Sequence, residues 1–136
     1  MKHDKEFEVT KSEADWKTSL SPAQYDVLRG HGTEPRGSSS LNTEKRAGEF
    51  VCASCGQALF ESGTKYESGT GWPSFYEPKD PAVVATTTDR SHFTTRTEVH
   101  CSRCGGHLGH IFEDGPAPTG LRYCMNGTSL KFEPKT

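Results

Sequence analysis

Five cysteines carry the first chemical signal in the chain, through their spacing. Four fall into two Cys-x-x-Cys pairs, Cys52 with Cys55 and Cys101 with Cys104. Two such pairs supply the four soft ligands of a tetrahedral zinc site. A glycine follows each pair directly, Gly56 and Gly105. Glycine tolerates the positive φ of tight turns that aim backbone N–H groups at thiolate sulfur. A redox disulfide is the competing reading; one copy of the motif would suffice for it, and neither copy has a βαβ pattern around it. His100 and His107 flank the second pair and could replace a thiolate, which four cysteines make unnecessary. With every ligand position filled by protein, one metal ion would be structural, tying an early hairpin to a late one. The chemistry must then lie elsewhere.

The fifth cysteine, Cys124, lies in Gly120-Leu121-Arg122-Tyr123-Cys124-Met125-Asn126 and has no partner in the sequence. It is either a nucleophile or a buried apolar thiol, a common fate of free cysteine. Side chains alternate along a strand, so Arg122, Cys124 and Asn126 share one face here, with Tyr123 and Met125 turned to the core. In His107-Leu108-Gly109-His110-Ile111-Phe112 the same alternation groups Leu108, His110 and Phe112, and sets His107 and Ile111 opposite. If the two faces meet, a thiol, an imidazole, a guanidinium, an amide and an aromatic ring converge. A histidine and a cation beside Cys124 would lower its pKa, and His110 could donate a proton to a substrate oxygen. The plain alternatives are a hydrogen-bonded structural His110 and a solvated Arg122.

Trp72, in Ser68-Gly69-Thr70-Gly71-Trp72-Pro73-Ser74-Phe75, stands between glycine and proline, on a rigid turn and not in a strand. It is either a core plug over a sheet end or one wall of an apolar pocket. Glu113-Asp114-Gly115-Pro116 reads first as a turn, with Asp114 orienting a histidine as the second reading.

These residues need elements to hold them. Residues 1–19 are polar and expected to be loosely held, Trp16 apart. Ser21, Pro22 and Gln24 spell a capped helix start, Leu20 can staple onto Tyr25, and Gly30 can end the helix. Residues 33–48, with Pro35, Gly37 and a run of serines, read as a surface loop. Short β-like segments follow at 49–52, 58–60, 83–86, 92–101, 107–112, 121–126 and 129–132, with glycine and proline at the breaks. The expectation is an antiparallel, mainly β domain over residues 16–136, behind a polar tail of residues 1–15. Hydrophobic residues make up only 31% of the 136, so the core is modest and a metal staple would matter. Net charge is -2, without the basic footprint of a nucleic-acid binder. No apolar run is long enough for a membrane span, and the charged start Met1-Lys2-His3-Asp4-Lys5-Glu6 lacks a secretory signal. The expected compartment is the cytoplasm, where thiols stay reduced and metal is favoured over disulfide.

Taken in order, the two cysteine pairs, the Ser68–Phe75 motif, Arg96-Thr97-Glu98-Val99, the 107–112 segment with Asp114-Gly115-Pro116, and Arg122-Tyr123-Cys124-Met125-Asn126 resemble the B-type peptide-methionine sulfoxide reductases. The resemblance runs from about Trp16 to Phe132. It implies two small antiparallel sheets, short N-terminal helices and a four-cysteine zinc site opposite the catalytic face. It implies Cys124 as the nucleophile on the sulfoxide sulfur and His110 as the proton donor, with Trp72 and Phe112 as the wall for the substrate methyl group. Arg122 and Asn126 would shape and polarise the site, with His107 and Asp114 as further members. Many relatives carry a resolving cysteine where this chain has Thr70, so an external thiol such as thioredoxin or glutathione with glutaredoxin is the expected reductant. Gly127-Thr128-Ser129 is a second departure from the family pattern. The expected protein is a monomer acting on oxidised protein or peptide. The reading of another class is a non-catalytic zinc-stabilised β-module that binds a peptide or small ligand in an aromatic pocket; it would have no need of Cys124, His110 and Arg122 in register.

Overall fold

The structure is a computed structural model and describes residues 9–30, 32–90 and 95–135. Two short helices come first, α1 (Glu13–Ser19) and α2 (Pro22–Leu28). The helix α1 replaces part of the stretch expected to be loose. Ser12 caps it by accepting from the Asp15 N–H, and Trp16 anchors it in the core. The Ser21–Gln24 capping box of α2 forms in both directions, at 3.1 and 2.9 Å, with Pro22 in the first turn. The charged start at residues 1–6 lies outside the described residues.

Among the described residues nine strands follow, all paired antiparallel. The three-stranded sheet has the order β2–β1–β9, from β1 (Gly48–Cys52), β2 (Ala58–Glu61) and β9 (Leu130–Pro134). The six-stranded sheet has the order β3–β4–β8–β7–β6–β5. Its strands are β3 (Lys65–Tyr66), β4 (Ser74–Phe75), β5 (Val84–Asp89), β6 (Arg96–Cys101), β7 (His107–Phe112) and β8 (Arg122–Met125). The expected class, mainly β with two antiparallel sheets and short N-terminal helices, is the observed one. Of the strand expected over 92–101, residues 92–94 lie outside the described residues. The two-residue strands β3 and β4 had no sequence signal, because two residues show no period.

Aromatic packing joins the sheets. Phe75 of β4 stacks on Phe60 of β2 at 4.3 Å between centroids and meets Phe50 of β1 edge-on at 5.0 Å. All three rings are fully buried, and each contributes about 2–3 kcal/mol of apolar burial. Tyr123 and Met125 pack on this core as alternation requires, and Trp16, Leu20 and Leu28 bring the helices onto it. No helix among the described residues is long and apolar enough to cross a membrane.

Candidate active site and metal centre

Strand register builds the site. Cys124 is directly opposite His110 on β7 and Ser74 on β4. His110 is opposite Glu98 on β6, and Ser74 is opposite Tyr66 on β3. One row, Glu98–His110–Cys124–Ser74–Tyr66, therefore crosses five strands with its side chains on one face. Neighbours in such a row have Cβ atoms about 5 Å apart, within reach of a thiol and an imidazole. The next row pairs Phe112 with Arg122.

Above these rows opens a cleft of about 290 Å³. Thr70, Trp72, His110, Phe112, Arg122, Cys124 and Asn126 line it, together with Thr33 and Arg96. Six of the residues singled out in the sequence are thus brought together, and Trp72 is a half-buried wall, not a sealed core plug. Its indole Nε1 donates to the Glu34 carbonyl at 3.0 Å. The close approach of β7 to β8 depends on Gly109, where a Cβ would overlap the Cys124 carbonyl.

His107 does not take the face expected for it. Val99 pairs with Gly109 but His100 pairs with His107, so β7 carries one extra residue, a bulge at Leu108. The bulge interrupts the alternation. His107 turns to the side of His110, with ring centroids 5.5 Å apart, and its Nδ1 lies 2.6 Å from Glu98 Oε2. Leu108, expected beside His110, is fully buried in the core. His107 does not line the cleft; it stands beside His110 on the same face and is 2% exposed.

Asp114 does not orient a histidine. Its two carboxylate oxygens accept from Arg122 Nε and Nη2 at 2.8 and 3.1 Å. Arg122 is held a second way, its guanidinium 4.4 Å from the centre of the Phe112 ring. Far from being a free surface charge, Arg122 is a fixed cation on the cleft wall. The Arg122 hydrogen bonds hold the Asp114 carboxyl below its ordinary pKa.

Burial pushes the Cys124 thiol above its ordinary pKa, against the Arg122 charge and hydrogen bonds from Thr70 and Arg122, which pull it down. The sequence offered a histidine and a cation as lowering influences and left the value open, because burial is not legible in it. The cation is there and acts as expected, but the desolvation of the strand interior outweighs it. Thr70 belongs to a hydroxyl chain, with Ser68 Oγ 2.9 Å from Thr70 Oγ1 and 2.8 Å from Ser74 Oγ.

Asn126 is 4% exposed, with its amide engaged by main chain. Oδ1 accepts from the Glu34 N–H at 2.9 Å and Nδ2 donates to the Leu108 carbonyl at 3.1 Å. Glu34, in the expected surface loop, is itself buried, and no periodic or motif signal marked it. Arg96 stood in a quoted motif without a role, and the register of β6 brings it to the cleft.

The four remaining cysteines gather at the other end of β7. Cys52 ends β1 and Cys55 lies in the turn after it, while Cys101 ends β6 and Cys104 lies in the turn to β7. All four sulfurs lie within 4.8 Å of one another, with Cys52–Cys104 at 3.7 Å and Cys55–Cys101 at 3.6 Å. That is far beyond a disulfide of about 2.05 Å, and close to the edge of about 3.8 Å of a tetrahedron with 2.3 Å metal–sulfur bonds. The cluster could hold a metal ion. Gly56 and Gly105 have φ of 82° and 77° and close both turns, each N–H donating to the carbonyl of the first cysteine at 2.8 Å. Side-chain donors add to them: Ser54 Oγ lies 3.0 Å from Cys104 Sγ, Arg29 Nη2 3.3 Å from the same sulfur, and Gln57 Nε2 3.4 Å from Cys101 Sγ. The cluster lies at the start of β7, while Cys124 is opposite His110 further along that strand, beyond the bulge, and is not a member of the cluster.

Known proteins share this sequence closely. The family model described as the SelR domain matches residues 20–134. The peptide methionine sulfoxide reductase MsrB of Leptospira interrogans is 57% identical over 127 residues, covering 93% of this chain and 97% of that protein. Its counterpart from Methanosarcina barkeri is 58% identical, covering 92% and 88%, and that from Agrobacterium fabrum is 51% identical, covering 93% of each. A match of that depth, along nearly the whole length of both partners, means that the chain belongs to the MsrB family of peptide methionine sulfoxide reductases.

Proposed function

We propose that this oxidoreductase, a peptide methionine sulfoxide reductase, takes the R epimer of methionine sulfoxide, chiefly in protein-bound form, and repairs oxidised protein. The observation that carries the reading is Cys124: a single thiol on the wall of a half-apolar cleft, opposite His110 and beside the fixed Arg122. Trp72 and Phe112 would receive the substrate methyl group and exclude water, as apolar walls do. Cys124 would attack the sulfoxide sulfur while His110 delivers a proton to its oxygen. The sulfoxide sulfur gains two electrons and leaves as methionine. Cys124 loses two and keeps the oxygen as a sulfenic acid. Arg122 would favour the thiolate at the moment of attack, when substrate has displaced water. Asp114 would hold Arg122, Asn126 would fix the cleft floor, and His107 with Glu98 would support His110 from the side.

Regeneration would come from outside. Thr70 stands beside Cys124, and the other four thiols are gathered against one another in a separate cluster at the start of β7. A first thiol would attack the sulfenic acid, releasing water, and a second would release Cys124 as the thiol. Thioredoxin, or glutathione with glutaredoxin, fits that role. Cys52, Cys55, Cys101 and Cys104 would hold one zinc ion, whose part is to bind the two turns together. Thiols kept reduced and metal-bound fit a cytoplasmic monomer with a polar tail over residues 1–15 and one domain from 16 to 136.

One experiment tests the reading. Methionine-R-sulfoxide reduction with dithiothreitol is measured for the wild type and for Cys124→Ser, and wild type is exposed to substrate without reductant and analysed by mass. Turnover should vanish in the variant, and the wild type should gain one oxygen on Cys124. Activity surviving in Cys124→Ser ends the enzyme assignment to this thiol, and a disulfide from Cys124 to Cys52, Cys55, Cys101 or Cys104 in metal-loaded protein ends the one-cysteine cycle.

A further inference from the structure

We propose that Glu34 is a positioning residue of the cleft, holding the Trp72 wall and the turn after Asn126 at a fixed separation before substrate arrives. Its neighbours Thr33, Pro35 and Arg36 are exposed, yet Glu34 is 4% exposed. It is attached in three directions. Its N–H donates to Asn126 Oδ1 at 2.9 Å, its carbonyl accepts from Trp72 Nε1 at 3.0 Å, and its Oε1 accepts from both the N–H and the Oγ1 of Thr128 at 2.7 Å. Short bonds to a carboxylate are the strong kind. Its other oxygen, Oε2, is buried with no hydrogen-bond partner among the described residues.

An unpartnered buried oxygen opposes folding, and an apolar residue of the same size would not carry that cost. The carboxylate is therefore in place for what its other atoms hold. Asn126 ends β8 directly after Met125, and Thr128 lies in the tight turn Gly127–Ser129 that follows. Pinning Thr128 fixes where the strand bearing Cys124 ends. The same residue's carbonyl fixes the indole on the opposite wall. Glu34 does not line the cleft. Its charge adds a minor upward push on the Cys124 thiol, and its hold on the cleft runs through Trp72, Asn126 and Thr128.

The kinetic expectation rests on the sulfoxide reading of the cleft. Glu34→Ala should lower kcat/KM by about 10- to 100-fold, the range expected when a reacting geometry slips by about an ångström. Glu34→Ala removes only the two bonds to Thr128, which frees the segment whose main-chain carbonyl holds Trp72. The loss should fall mainly on KM, since a shifted Trp72 weakens binding of substrate and transition state alike. Glu34→Gln keeps an oxygen acceptor for Thr128 and should recover most of the loss, which a bare change in stability would not track. The rate of Cys124 alkylation by iodoacetamide, followed per cysteine by mass, reports cleft geometry even if the sulfoxide is not the substrate. It should change several-fold in Glu34→Ala and return in Glu34→Gln. If Glu34→Ala does not fold, Thr128→Ala and Thr128→Ser make the same comparison from the other side of the bond, with Ser restoring what Ala loses. Wild-type kinetics and alkylation in Glu34→Ala, or in Thr128→Ala where that pair is used, would overturn the proposal. So would a Glu34→Gln as impaired as Glu34→Ala, since charge and not the pin would then be at work.

Discussion

At the scale of single residues, Cys124 is governed by two opposed effects. Burial disfavours its anion and raises its pKa, while the Arg122 guanidinium favours the anion. The alkylation rate of Cys124 should therefore climb with pH through a midpoint above the ordinary thiol value of about 8.5. Arg122→Met removes the opposing cation, so the midpoint should move higher still, and the rate at pH 8 should fall by about 3- to 10-fold. A midpoint at or below the ordinary value in the wild type would contradict the balance drawn here. The linkage has a definite sign. The folded chain holds this proton more tightly than the unfolded chain. The contribution to stability is complete below the ordinary thiol pKa and is lost as pH rises through the folded value. Types and spacing in the sequence picked out Cys124, Arg122, His110 and Trp72, because reactive groups announce themselves by kind. They did not pick out Glu34, a carboxylate in a polar loop, because nothing local distinguishes a buried glutamate from a solvated one.

At the scale of elements, the β7–β8 pair does most of the positioning. Alternation in the sequence correctly set Arg122 and Cys124 on the cleft face and Tyr123 and Met125 on the core face. It misplaced His107 and Leu108, because a bulge adds one residue to a strand and resets the period. Nothing in His107-Leu108-Gly109 alone announces the bulge, which exists only relative to the partner strand β6. Gly109 gives the element its own test. A Cβ there would overlap the Cys124 carbonyl across the ladder, so Gly109→Ala must push the strands apart. It should destabilise the fold by about 1–3 kcal/mol in urea titration and lower activity with it. Gly63→Ala, at a position with open space around it, should change stability by less than about 0.5 kcal/mol. Equal stability of the two variants would refute the close-approach argument.

At the scale of the whole molecule, a modest core is joined by a thiol cluster between turns 49 residues apart, Cys52 to Cys101. Structural zinc in small sites contributes about 10–16 kcal/mol of folding free energy. Stripping the metal with a chelator should therefore lower Tm by at least about 10 °C, measured by calorimetry with metal content determined alongside. Cys124→Ser should bind the metal with unchanged stoichiometry, while Cys101→Ser should not. A metal-free protein with the wild-type Tm would remove the staple from the account. The sequence by itself determined the four-cysteine grouping, the glycine-closed turns, the strand segments long enough to show a period, and the odd thiol. Each of these is a matter of residue type at short spacing, which sequence carries directly. Tertiary structure alone decided that Glu98, His110, Cys124 and Ser74 fall in one row, that Asp114 grips Arg122, that Glu34 is buried, and that desolvation overrides the cation at Cys124. Those facts depend on register between strands far apart in the chain and on the exclusion of water, and neither exists until the sheets have paired.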